Sequence, residues 1–341
     1  MSSPTPTRPT RPSSAGGDGV PAPTGSALPT GPAPYHHFLR TPRTRWWRPA
    51  LAIVLVLIAY GVVNIVLGGM IFLLSSTFGL DLVPTDTSTV ILTPALFLVQ
   101  NIALGLMIPI SLGLQRLLFG QPARFLHSIH GRFRWGLALR VAAVLTPIWV
   151  VYAIVLYLID PRAIGVGPEP ATVATTVVLL LVTVLTTPLQ SAGEEYATRG
   201  LLARSFASFT GHRGAAFVLA LVPPSVLFAW AHGSSDWTLI AYYLVLSTAF
   251  TLITWRTGGI EAAVVLHAVN NSITFMVASF LTGEFVLDRS AGSGGAIILI
   301  PIVLVSLTTA GVWLWARRKG LPLTADPAAG TEPSRTPRSA G

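Results

Sequence analysis

Three short groups of polar residues interrupt an otherwise apolar chain. In chain order they read Glu194-Glu195-Tyr196-Ala197-Thr198-Arg199, Phe228-Ala229-Trp230-Ala231-His232 and His267-Ala268-Val269-Asn270-Asn271. Together they supply paired carboxylates, two separated imidazoles and an amide. A carboxylate can act as a general base, and the other groups can stabilise a developing oxyanion or hold a metal. These residue types are typical of a hydrolase that activates water.

The spacing within the groups indicates which side chains can act together on a helix. His267 and Asn271 are four residues apart, so their side chains lie on one face, one turn from each other. Glu195 and Arg199 have the same spacing and can form an ion pair along their helix. Glu194 projects about 100° away from Glu195, which leaves it free to serve as the general base.

The elements that carry these residues are predicted to be membrane-spanning helices. The 341-residue chain is 52% hydrophobic and only 10% charged, whereas soluble domains carry about 25% charged residues. Eight apolar runs each approach the roughly 20 residues with which a helix crosses a bilayer. They cover about residues 50–75, 90–113, 136–159, 172–192, 214–232, 237–255, 260–282 and 296–316. We therefore predict an all-α fold, a polytopic membrane bundle of about eight transmembrane helices.

Charge predicts the orientation of the bundle in the membrane, and composition predicts disordered terminal tails. Arginines are concentrated before the first run, in alternate loops and after the last run. Because basic loops stay in the cytoplasm, we expect a multi-pass protein of the cell membrane with both termini cytoplasmic. Residues 1–45 and 321–341 are predicted to be disordered cytoplasmic tails around a transmembrane domain at 46–320. Arg204 is expected to be a solvated anchor between the fourth and fifth runs.

The net charge of +9 has a simple explanation in lipid. Basic residues at the ends of apolar runs anchor helices against anionic headgroups. No nucleic-acid recognition module accompanies the charge, so nucleic acid is not expected as a partner. The partners indicated are the lipid bilayer and a substrate, and the sequence gives no indication of an oligomeric state.

The three motifs resemble those of the CAAX-protease and bacteriocin-processing (Abi) family of intramembrane proteases. EExxxR, FxxxH and HxxxN occur here in the family's order and spacing, and the resemblance covers about residues 180–280. It implies an endopeptidase in which Glu194 activates water for attack on a carbonyl of a peptide or protein substrate. By the same resemblance His232 and His267 line the site and Asn271 holds the oxyanion or a histidine. The remaining motif residues, Glu195, Arg199 and Phe228, are then supporting residues.

Several alternatives stay open. His232 and His267 with a carboxylate could complete a zinc site that keeps one position for water, or could act without metal as donors to the oxyanion. Structural roles are also compatible with the motifs, namely an ion pair of Glu195 with Arg199 and interhelical hydrogen bonds of the histidines and Asn271. The chain would then be a non-catalytic membrane scaffold or binding protein, or a proton-coupled transporter.

Hydropathy alone places the candidate residues at different depths. A fifth helix that starts near Gly214 carries His232 about 27 Å across the membrane, whereas a fourth run ending near residue 192 leaves Glu194 at the cytoplasmic side. A break or kink at Pro223-Pro224 would remove the conflict, as would a fourth helix that starts later and continues to about Phe206. We expect a combination of the two, which brings the four polar groups to one buried cavity.

Overall fold

Eight long apolar helices form the protein in the computed structural model, which describes residues 25–80, 82, 83 and 90–327. Each is long and apolar enough to cross a membrane, and large apolar side chains such as Ile65 and Leu158 cover the outside of the bundle. The helices are α1 Trp47–Phe78, α2 Pro94–Phe119, α3 Trp135–Ile159, α4 Val173–Ala207, α5 Arg213–Ala231, α6 Trp237–Thr257, α7 Glu261–Ser279 and α8 Ala296–Arg318. The predicted fold class is confirmed, and the chain is a multi-pass membrane protein.

Helix α4 is longer than the apolar run that predicts it. It continues past residue 192 through a π-helical stretch, Tyr196–Leu202, and ends at Ala207. Charged residues such as Arg199 and Arg204 led to the prediction of a loop here, but their side chains are buried in the bundle. Arg204, expected to be solvated, is fully buried, and its guanidinium donates to the side-chain carbonyls of Gln115 and Gln121, both at 2.6 Å. Glu194 therefore lies well inside the span.

Helix α5 passes through its two prolines without a break. Pro223 and Pro224 both lie inside the continuous helix Arg213–Ala231. The predicted break is therefore wrong. Helix α4 also does not start later than its apolar run, because it begins at Val173, and only its extension to Ala207 removes the depth conflict. His232 lies at the far end of α5, as an unbroken helix requires.

Helix α7 is the central element of the bundle. More than half of its spanning residues are buried within the protein, the largest share of any of the eight helices. One apolar cluster joins it to α3, α5, α6 and α8 through residues such as Trp149, Phe250 and Leu266. Its first residue, Glu261, is fully buried and paired with Arg134 at 2.7 Å. This burial lets α7 present polar groups to the interior instead of to lipid.

Residues 25–46 before α1 and residues 321–327 after α8 are folded, contrary to the disorder predicted for these parts of the tails 1–45 and 321–341. Strand β1, Ala33–Pro34, pairs antiparallel with strand β4, Thr324–Ala325. Tyr35, Phe38 and Leu39 are at most 1% exposed, so these apolar side chains anchor a segment whose average composition is that of a tail. The β1–β4 pair places both described ends on one face of the bundle. Residues 1–24 and 328–341 lie outside the described residues, and their disorder stays a prediction.

The opposite face carries a second small sheet. Strand β2, Val90–Leu92, pairs antiparallel with strand β3, Phe285–Leu287, and residue Val166 bridges to Phe285 from the other side. These loops cover the ends of α3, α4 and α7. They form the rim of the bundle on the face opposite to the described chain ends.

His36 makes the stability of the folded N-terminal segment depend on pH. Burial lowers the pKa of His36 from 6.5 to about 4, with a smaller effect of neighbouring His37. Its ring contacts Phe217, and neither ring nitrogen has a partner among the described residues. The unfolded chain takes up this proton below about pH 6.5, the folded chain only near pH 4. The stabilising contribution is therefore complete above pH 6.5 and is lost as the pH falls toward 4.

We expect the free energy of unfolding to fall by about 3 kcal/mol through this one group between pH 7 and pH 4. The His36→Phe variant should lose that part of the pH dependence and keep its stability at neutral pH. Denaturation of both proteins in detergent, followed across this pH range, measures the difference. Parallel curves for the two proteins would contradict the prediction.

Candidate active site

The predicted site residues line one cavity of about 420 Å³ inside the bundle. Helix α4 contributes Glu194, the end of α5 contributes Phe228 and His232, and α7 contributes His267 and Asn271. The expectation that four polar groups converge on one cavity is confirmed. Glu195 and Arg199 lie behind the wall of this cavity.

The two adjacent glutamates have different surroundings. Glu195 is fully buried, and its Oε1 accepts from Arg199 at 3.0 Å and from His267 Nδ1 at 2.8 Å. Glu194 faces the cavity, where Oε1 accepts from the amide of Gln190 and Oε2 lies 3.8 Å from His267 Nε2. The helical offset of adjacent residues separates them as predicted. The Oε1 atom of Glu195 is committed to protein partners and its Oε2 atom is buried without a partner among the described residues, while one oxygen of Glu194 remains directed at the cavity.

Both histidines are held in one tautomer. His267 Nδ1 lies against the Glu195 carboxylate, and His232 Nδ1 lies 2.7 Å from the carbonyl oxygen of Phe228. These oxygens can only accept, so each Nδ1 carries the proton and each Nε2 keeps a lone pair. A neutral His232 can thus accept a proton or bind a metal, and it can donate to an oxyanion only as the imidazolium.

Asn271 belongs to an amide network. Its Nδ2 donates to Gln190 Oε1 at 3.2 Å, and its Oδ1 accepts from Asn270 at 3.0 Å. Asn270 in turn accepts from the indole of Trp149 at 3.1 Å. One N–H of Asn271 is left for the cavity. Gln190 was not among the predicted site residues, although it lies four residues before Glu194 and so on the same helix face.

Aromatic rings fix the buried ion pair and the histidines. The Arg199 guanidinium lies 5.0 Å from the ring centroids of both Phe228 and Phe250. Phe250 also stacks on His267 at 4.8 Å, and Tyr243 stacks on His232 at 3.8 Å. Such cation–π and stacking contacts are strongest where water is excluded. Phe228 therefore supports the site by packing against Arg199 while its carbonyl orients His232.

Gly193 allows the close helix contact that positions Glu194. A Cβ atom at this position would overlap the backbone carbonyl of Leu104 in α2. We therefore expect Gly193→Ala to push α4 away from α2 and to destabilise the protein, since a backbone atom cannot move aside like a side chain. Gly136→Ala, where an added Cβ meets nothing within 4 Å, is the matched control. Equal melting temperatures for the two variants would contradict this expectation.

The candidate zinc ligands suit the metal in chemistry but not in spacing. Metal-bound histidines typically donate their second ring nitrogen to a carbonyl or carboxylate, as His232 and His267 do. However, within residues 25–80, 82–83 and 90–327, no three His, Asp or Glu side chains form a group that could hold a metal ion. The set does not fit in this geometry, and the mechanism below uses protein groups alone.

Fold and site together define a polytopic membrane protein that encloses carboxylate, imidazole and amide groups in one cavity. Residues 173–273, which contain all three motifs, match the family described as type II CAAX prenyl endopeptidase Rce1-like. The match confirms the resemblance to the CAAX proteases over this part of the chain and supports a CAAX-type intramembrane endopeptidase. No curated protein and no solved structure matches the chain.

Proposed function

We propose that this protein hydrolyses a peptide bond inside the membrane with Glu194 as the general base. The proposal rests on the different partners of the two adjacent glutamates. Glu195 is neutralised by Arg199 and orients His267, whereas Glu194 directs one oxygen into the cavity at 3.8 Å from His267 Nε2. A water molecule between these two acceptors would donate one hydrogen bond to each. Its lone pairs would then face a peptide carbonyl.

The reaction follows from this placement. Glu194 takes a proton from the water as the water oxygen bonds to the carbonyl carbon, which gives a tetrahedral oxyanion. The free N–H of Asn271 stabilises that oxyanion, and neutral His232, whose Nε2 keeps a lone pair, lines the cavity without adding a donor. Glu194 then passes its proton to the leaving nitrogen as the C–N bond breaks. The products are a carboxylic acid and an amine.

The buried surroundings make this chemistry effective. The apolar wall of the cavity excludes bulk water, so fixed donors act at a low local dielectric. The buried Arg199 holds Glu195 and, through it, the tautomer of His267. We infer that Glu195 and Arg199 are positioning residues whose effect on the rate depends on His267.

A comparison of membrane peptides tests the proposed activity in cells. Cells that make the native protein should contain cleaved peptides that are absent from cells making Glu194→Gln at the same level. Mass spectrometry of the membrane fraction detects the new termini and identifies the substrate. If both cell types yield the same peptides, the protease proposal is wrong and a scaffold or transporter role gains support.

The arginine distribution leads us to propose that the chain lies in the cell membrane with both termini cytoplasmic. Residue 290 follows α7 and residue 42 precedes α1, so seven crossings separate them. The chain has no cysteine, which allows single-cysteine variants at either place. A membrane-impermeant maleimide on intact cells should label Ser290→Cys and not Pro42→Cys. The reverse pattern would contradict the orientation.

Zinc has its own test. His232, His267 and Glu194 are the side chains that would hold the ion, and it would supply a Lewis acid for the bound water. Because no three such side chains among the described residues form a group that could hold a metal ion, we expect purified native protein and the His232→Ala variant to have equal zinc contents. About one zinc per native chain, lost in His232→Ala, would contradict this expectation and indicate a site at these residues.

A further inference from the structure

A second cavity adjoins the candidate site on the face opposite to the chain ends. Its volume is about 1130 Å³, and it is lined by the loops that follow α3 and α7. Tyr243, Asn271 and Arg289 line both cavities, so the two spaces meet at these residues. A peptide that approaches from this face passes Arg289 before it reaches Glu194.

Arg289 is a cation without an anionic partner among the residues that the structure describes. None of the ion pairs formed by the described residues includes it. Its Nε atom is buried and has no acceptor within the described part of the chain. The two acidic side chains that line the second cavity have other partners, because Asp160 accepts from Arg162 and Asp288 accepts from Ser290. An arginine placed this way has donors left for a carboxylate that comes from elsewhere.

Arg289 lies next to the cavity in which the peptide bond would be cleaved. Its Nη1 donates to the backbone carbonyl of His232, and the ring of His232 lines the cavity that holds Glu194. Because Arg289 contacts His232 and lines both cavities, a carboxylate bound at Arg289 would lie near the carbonyl beside Glu194. Without Arg289, the negative charge of Glu194 would repel such a substrate.

We propose that Arg289 is a specificity-determining residue that binds a carboxylate of the substrate close to the scissile bond. This inference rests on the proposed peptidase function and adds a substrate class to it. The carboxylate is either the free C-terminus of the peptide or an Asp or Glu side chain. Arginine suits both sources, because its planar guanidinium can bind a carboxylate through two parallel hydrogen bonds.

Matched peptides and variants test this inference in purified, reconstituted protein. Each acidic peptide is paired with its amide isostere, through C-terminal amidation in one arm and Glu→Gln in the other. The native protein should cleave the acidic member of one pair with a kcat/KM about 10- to 100-fold higher, mainly through KM. The responding arm identifies the source of the carboxylate. Arg289→Gln should bring this ratio close to one, and Arg289→Lys should leave an intermediate ratio.

The control is Arg162→Gln, because Arg162 lines the same second cavity but is exposed and paired with Asp160. This variant should keep the native ratio. If the native protein shows no preference in either arm, or Arg289→Gln slows acidic and neutral peptides equally, the inference is wrong. Either result leaves the peptidase proposal intact so long as Glu194→Gln is inactive. Cleavage by Glu194→Gln would instead remove the peptidase proposal itself.

Discussion

Glu194→Gln is expected to lower the rate of peptide hydrolysis by about 10²- to 10⁴-fold, the usual contribution of a general base. The amide keeps the size of the carboxylate but cannot take a proton from water. Because Glu194 faces a cavity and is not part of the Glu195–Arg199 ion pair, the folded structure should be retained. The measurement is the single-turnover rate of purified protein in lipid, with the melting temperature recorded alongside.

Glu169→Gln is the matched control for this prediction. Glu169 is an exposed loop residue that does not line the cavity, so the same change of charge should leave the rate unchanged. A Glu194→Gln protein that melts normally and still cleaves peptides at the native rate would refute the assignment of the base.

Arg199→Met is expected to destabilise the protein by about 3–5 kcal/mol. The substitution leaves Glu195 as an uncompensated buried charge, and breaking one side of such a pair costs that much. The Arg199 contacts to the rings of Phe228 and Phe250 are also lost. Activity should fall with stability, because His267 depends on Glu195 for its orientation. The melting temperature and the cleavage rate are measured on the same preparation.

A double variant separates the charge from the chemistry. Arg199→Met combined with Glu195→Gln removes both charges, so most of the lost stability should return. The cleavage rate should remain at least about tenfold below native, because a neutral amide holds His267 less firmly than a carboxylate. Arg162→Met, at an exposed ion pair, serves as the control and should change neither quantity. Full recovery of activity in the double variant would show that Glu195 has no positioning role.

The sequence predicted the helices well because lipid imposes a simple pattern. A span needs a long apolar run, and such runs mark all eight helices. The pattern failed where the bundle buries charged side chains against partners from distant parts of the chain. In α4, Arg204 donates hydrogen bonds to Gln115 and Gln121. The low hydropathy of this stretch predicted a loop, because these distant partners are not visible in the local sequence. The same limit applies to the segment with Tyr35 and Phe38, whose few apolar residues are outweighed by prolines and glycines in an average.

The sequence predicted which residues form the candidate site, but it did not predict the hydrogen bonds that connect them between helices. Spacing alone indicated that Glu195 would pair with Arg199 and leave Glu194 free. The hydrogen bond from His267 to Glu195 spans 72 residues, and no local pattern encodes a contact between two helices. Arg289 was missed for a related reason, because a lone arginine in a loop resembles an ordinary surface residue until the cavity around it is known.

An experimental structure of Glu194→Gln with an uncleaved peptide bound would test the proposed mechanism most directly. We expect the scissile carbonyl to lie within hydrogen-bond reach of Asn271, and one water to contact both the residue-194 side chain and His267 Nε2. A peptide bound elsewhere, or a carbonyl more than about 10 Å from both groups, would contradict it because the base could not reach the reacting water.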